Sequence, residues 1–304
     1  MAPKRQEDTL TTEAKLETCK VTKQIAGQSL AKGLHKLLAT NEPISEVMLR
    51  DAWLTALRKN ASLFPDGWYM PPPHGIAVVF GSVGKESRSN FQSLRPQKMW
   101  PQDNIFLNRD SSLITCYASP VDKKTGMFGD FGVTLYFGND SAVKSQLQQC
   151  LQIDREIFDF IEVGKSFAEV YTFSMKLLKS YGLANDITSN ADPTTTNIGH
   201  TVSGLDEAWT LQELHIIQEG ETNWDAVKTM IGKKRKFVNS VEQTRYMPGM
   251  GVTLEPRPTV IKNPEIPMVW LHNTILINPD GSKELLTSFE DAFRVISMDY
   301  MLTT

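Results

Sequence analysis

The sequence predicts a single α+β domain, and three observations carry that reading. Two amphipathic helical segments open the chain, the apolar β-type runs that follow fall into hairpins, and neither a tandem repeat nor an internal linker divides the 304 residues.

The elements follow in order. From about Thr18 the apolar residues Val21, Ile25, Leu30, Leu34, Leu37 and Leu38 recur at helical spacing, behind a polar segment read as a short mobile head, residues 1–17. Asn41-Glu42-Pro43 and Ser45 then break the chain and start a second helix over 44–59. After Pro71-Pro72-Pro73, the glycine-bounded run 75–81 reads as a buried strand. Strands over 112–117 and 129–137 form a hairpin through the turn residues of 120–126. Helices over 141–160 and 167–181 are parted by Val163-Gly164-Lys165-Ser166, and Gly182 stops the second. Residues 209–245 lack a clear period and read as an insertion with one helix near 224–231. Strands at 251–255 and 268–277 follow, and Asn278-Pro279-Asp280-Gly281 turns the latter back toward 283–287.

Composition narrows the function classes. With 40% hydrophobic and 22% charged residues the chain can bury a sizeable core, which excludes a disordered or membrane class. A net charge of -3 argues against a generic polyanion binder, so nucleic acid is not an expected partner. The one basic run, Lys233-Lys234-Arg235-Lys236, reads as a solvated loop. Three cysteines without C-x-x-C spacing, no apolar run long enough to span a bilayer and no secretory signal give the expectation of a cytoplasmic protein.

Four segments carry a resemblance. Residues 108–115 and Gly126-Met127-Phe128-Gly129-Asp130 are similar to two strands of the creatinase and methionine aminopeptidase family, Val163–Val170 to its turn between two helices, and Gly199-His200 to its ligand histidine. Pro248-Gly249-Met250-Gly251-Val252-Thr253-Leu254-Glu255-Pro256 follows the family's Pro-Gly-Met-x-x-x-x-Glu-Pro most closely. The resemblance covers about 21–287 and implies the "pita-bread" fold: a curved, mostly antiparallel sheet with helices on its outer face, here spanning 18–304.

Peptidases of that family hold two metal ions with two Asp, one His and two Glu. The resemblance places Asp130, His200 and Glu255 at three of these positions. Cys116 or Thr115 falls at the first Asp, and His272 at the last Glu. Cys116 reads first as a small buried hydrophobe. Losing two carboxylates removes about two negative charges, so a paired site gives way to one divalent ion, Fe, Mn or Zn, held by Asp130, His200, Glu255 and His272. No nucleotide cofactor is implied. The family's proton-handling histidine is missing, with His215 as a substitute acid or base or simply a surface residue, and Arg257 is a fork for an anionic substrate group or for an internal acid.

Three functions compete. The first is an enzyme acting on a small molecule or short peptide-like substrate through a single metal, by hydrolysis or non-haem-iron chemistry, with His200 and Glu255 at the reacting centre. The second is a metal-free C–N hydrolase like creatinase, with His200 as base and Glu255 and Asp130 as electrostatic partners. The third is a peptidase-like binding module without catalysis. Whether 209–245 forms a lid or a subunit contact of a homodimer is open at this stage.

Overall fold

The computed structural model describes residues 10–189 and 191–302. Helix α1 (Thr12–Leu38) begins where the Thr11 hydroxyl accepts from Ala14 N–H. It starts inside the segment read as a mobile head, because Lys15 interrupts the apolar period yet is buried, its ammonium donating to the Gly204 carbonyl. Residues 1–9 of that head lie outside the described residues. Helix α2 (Glu46–Leu57) is capped by Ser45 and packs along α1.

Strands β1 (Ile76–Gly81), β2 (Leu113–Ala118) and β3 (Phe131–Tyr136) pair antiparallel in chain order. Helices α3 (Ser141–Phe160) and α4 (Phe167–Ser180) follow, and Ser166 and Glu169 close a reciprocal capping box at the start of α4. That box is the physical content of the Ser-x-x-Glu in the inter-helix turn. A short β4 (Leu183–Asn185) pairs with β6 (Pro258–Val260) as a separate ribbon. The 209–245 segment holds two helices, α5 (Leu211–Gln218) and α6 (Trp224–Lys233), where the sequence showed one. Strands β5 (Gly251–Leu254), β7 (Leu271–Ile277) and β8 (Lys283–Leu286) complete the sheet, and α7 (Glu290–Val295) packs against α1.

The six-stranded sheet runs β1-β2-β3-β7-β5 with β8 also on β7, and every pairing is antiparallel. Strand alternation sorts its residues. Val78, Phe80, Ile114, Cys116, Phe131 and Val133 join the helix-covered core, whereas Ala77, Val79 and Tyr117 face the opposite side with Phe91, Leu94 and Trp270. The candidate site lies on that second side. No helix among the described residues is long and apolar enough to cross a membrane.

Candidate active site

Four distant segments deliver the predicted donors to one place. Asp130 immediately precedes β3, Glu255 immediately follows β5, and His272 on β7 stands opposite Gly132 of β3. His200 lies in an extended segment bonded to β5: its N–H donates to Thr253 Oγ1, and Thr253 N–H donates to its carbonyl. Two glycines permit this crowding. A Cβ on Gly132 would sit 2.9 Å from the His272 Cβ, and one on Gly199, where φ is +152°, would collide with the Thr253 carbonyl. The glycine of the Gly-His pair is thus what lets the histidine's backbone lie against β5.

The side chains meet as a chain of pairs. His200 Nε2 is 3.6 Å from Asp130 Oδ2 and 3.7 Å from Glu255 Oε1, and His272 Nε2 is 3.5 Å from Glu255 Oε2. His200 Nδ1 lies 3.0 Å from the Thr201 carbonyl, which can only accept, so Nδ1 carries the proton and Nε2 presents a bare lone pair. Asp130 Oδ1 accepts from the Trp68 indole at 2.8 Å, while among the described residues Oδ2 has no hydrogen-bond partner, and neither ring nitrogen of His272 has one. Beneath them the buried Lys23 ammonium donates to the carbonyls of Asp130 and His272, each at 2.7 Å, and so ties α1 to both strands.

Burial dominates the electrostatics. It pushes Asp130 up to about 7, against the Trp68 hydrogen bond, and raises Glu255, against Arg257 and Arg235. It takes His200 down to about 3, with the Arg235 guanidinium adding to the shift, and lowers His272, with Lys23 and His200 contributing. Both imidazoles are therefore neutral near pH 7, and the carboxylates are the better proton carriers.

Arg257 reaches the same place: its guanidinium lies over the Phe91 and Trp270 rings and donates to the Gln92 carbonyl. Two expectations are corrected, on His215 and on the basic run, and the reading of Cys116 as a small buried hydrophobe is met. His215 stands on the exposed face of α5, paired with Glu219 at 3.2 Å, and does not join the cluster. Cys116 points into the helix-covered core, and its neighbour Tyr117 is the β2 side chain that faces the site, its ring 6.0 Å from that of His272. The basic run is not wholly solvated. Lys234 pairs with Glu213 and Lys236 with Asp206, but Arg235 turns inward over the Trp68 and Phe237 rings. The chain continues from Arg235 into 236–238, which bonds to 198–201 beside His200. Only that return path places Arg235 at the site, and no local pattern announces it.

A divalent ion is one group that nitrogen and oxygen donors of this kind take. Neighbouring ligands around a tetrahedral ion with bonds of about 2.1 Å sit roughly 3.4 Å apart. The three measured separations approach that spacing, and the buried, unpartnered Asp130 Oδ2 and His272 Nε2 are the atoms a cation would satisfy. As placed, the four side chains form a chain of pairs through both Glu255 oxygens, and among the described residues no group of three or more His, Cys, Asp or Glu stands close enough together to hold a metal ion.

The sequence model of metallopeptidase family M24 matches residues 100–279. No curated protein matches the chain significantly. Among solved structures, a prolidase from Pyrococcus horikoshii OT3 is 15% identical with a TM-score of 0.58, over 90% of this chain and 62% of its own. An X-Pro aminopeptidase from Thermotoga maritima MSB8 is 9% identical with a TM-score of 0.59, over 90% of this chain and 61% of its own. The methionine aminopeptidase of Thermotoga maritima is 12% identical with a TM-score of 0.54, over 89% of this chain and 96% of its own. This chain spans about three fifths of the first two. Identities this low establish the pita-bread fold alone, and the family model, matching more than half of the residues, establishes that the chain belongs to metallopeptidase family M24.

Proposed function

We propose that this chain is a divergent hydrolase of the M24 family, acting on a small molecule or short peptide-like substrate with Asp130, His200, Glu255 and His272 as holders of one divalent ion. The observation that carries the reading is the bare Nε2 of His200, facing two carboxylates at 3.6 and 3.7 Å. Two carboxylate ligands can offset one dication, and Tyr117 facing the site adds no carboxylate for a second. When bound, such an ion supplies a polarised, more acidic water.

The chain's own residues do the rest. Thr201 fixes the His200 tautomer, so that ring offers a lone pair and not a proton. Trp68 fixes Asp130 through Oδ1 and leaves Oδ2 toward the cluster. Glu255 lies beside both imidazoles, 3.7 Å from His200 and 3.5 Å from His272, and is the carboxylate positioned to take and return the proton of the attacking water. Arg257, its guanidinium against the Phe91 and Trp270 rings, orients an anionic group of the substrate.

A metal-free hydrolase is the second reading, favoured by the Arg235 and Lys23 cations near the carboxylates and by the open arrangement of donors. The depressed basicity of His200 counts against it, because that mechanism needs His200 as base. Metal analysis of dialysed protein separates the two. A reproducible metal content of ~1:1 that vanishes in His200→Ala supports the single-ion site. Absence of metal under every loading condition rejects it.

A further inference from the structure

His200 and Glu255 of the cluster line a cavity of about 380 Å³, and the rest of the lining has an unusual charge balance. Three arginines from three segments face it: Arg95 between β1 and β2, Arg235 after α6, and Arg257 after β5. Each guanidinium is held against an aromatic ring, Arg95 over Tyr69 at 4.7 Å, Arg235 over Trp68 at 4.6 Å and Arg257 over Trp270 at 5.4 Å. Among the described residues, none of the three has a carboxylate within ion-pair distance, and the buried Arg257 Nε has no hydrogen-bond partner. Among the described residues the only carboxylate in the lining is Glu255. Counting Asp130 beside His200 together with Glu255, three guanidiniums face two carboxylates and leave one positive charge uncompensated. An ion in the cluster raises that excess.

A guanidinium lying over a ring keeps N–H groups at its edge that can meet a carboxylate; here the Gln92 carbonyl takes Arg257 Nη1 and the Gly232 carbonyl takes Arg235 Nε, which leaves the other N–H groups for a ligand. Arg235 and Arg257 are partly or wholly buried, so leaving them unpaired is costly unless a ligand supplies the counter-charge. We infer that this cavity binds a small dianion with two carboxylate-type heads, one taken by Arg257 and the other by Arg235 beside the cluster, with Arg95 at the exposed rim. The inference deepens the function proposed above, since it takes this cavity as the substrate site.

Calorimetric titration of the full chain with succinate, glutarate and adipate tests it, with glutaramide as the neutral counterpart of glutarate. Each titration is run on chelator-treated and on metal-loaded protein. At least one dicarboxylate is expected to bind while glutaramide does not, and Arg235→Gln and Arg257→Gln each weaken binding by about tenfold or more. Should Arg257→Gln fail to fold, Arg235→Gln carries the comparison. Failure of all three dicarboxylates to bind, equal binding of glutaramide, or an unchanged Kd in Arg235→Gln overturns the inference. Dicarboxylate binding to chelated protein that takes up no metal sustains this inference and rejects the single-ion reading. Metal uptake without dicarboxylate binding does the reverse.

Discussion

His200 Nε2 faces Asp130 Oδ2 across 3.6 Å, lone pair to lone pair. Only a cation or a proton on the carboxyl makes that contact favourable, which links metal content directly to fold stability. In Asp130→Asn the amide can donate to Nε2. The variant is therefore expected to lose metal while its metal-free form unfolds within about 1 kcal/mol of the metal-free parent. Full metal retention would show that Asp130 is not a ligand.

Gly132 lies directly opposite His272, with no room for a side chain. Gly132→Ala is expected to force β3 and β7 apart and to cost about 1–3 kcal/mol in urea unfolding, with activity falling in parallel. Stability within about 0.5 kcal/mol of the parent would mean the two strands yield freely at this point.

Lys23 gives the stability curve a sign. Burial lowers its pKa from 10.5 to about 7, with the Asp130 charge opposing. Between those values the unfolded chain holds the extra proton, so stability contributed through Lys23 rises with pH over that window, and below about 7 the penalty for burying the charge is present in full. The two carbonyls it serves need only two N–H groups, which the neutral amine retains. Relative to Lys23→Met, the parent should gain unfolding free energy as pH rises from about 7 toward 10.5. A pH-independent difference would contradict the assignment.

His215→Ala is expected to change neither turnover nor unfolding free energy by more than about 0.5 kcal/mol, since the ring is exposed and pairs with Glu219 on the surface of α5. A large loss of turnover would restore His215 as an acid or base.

Much of this was legible in the chain. Helices α3 and α4, the β2–β3 and β7–β8 hairpins, and the meeting of Asp130, His200, Glu255 and His272 all follow from period, turn residues and the family-like motifs. What escaped did so for physical reasons. Cys116 and Tyr117 differ by one residue in a strand, and one residue of register exchanges the core face for the site face. Arg235 sits in a run of like charges, and only a long-range pairing with His200's strand turns it inward while Lys234 and Lys236 find acidic partners outside. Residues 12–17 looked too polar for a helix because Lys15, though charged, is buried against Gly204.

Anomalous diffraction at the absorption edge of the bound metal tests the central claim most directly. One peak within bonding distance of Asp130 Oδ2, His200 Nε2, Glu255 and His272 Nε2 is the predicted result. Two adjacent peaks, or metal bound elsewhere with these four donors left bare, would contradict it.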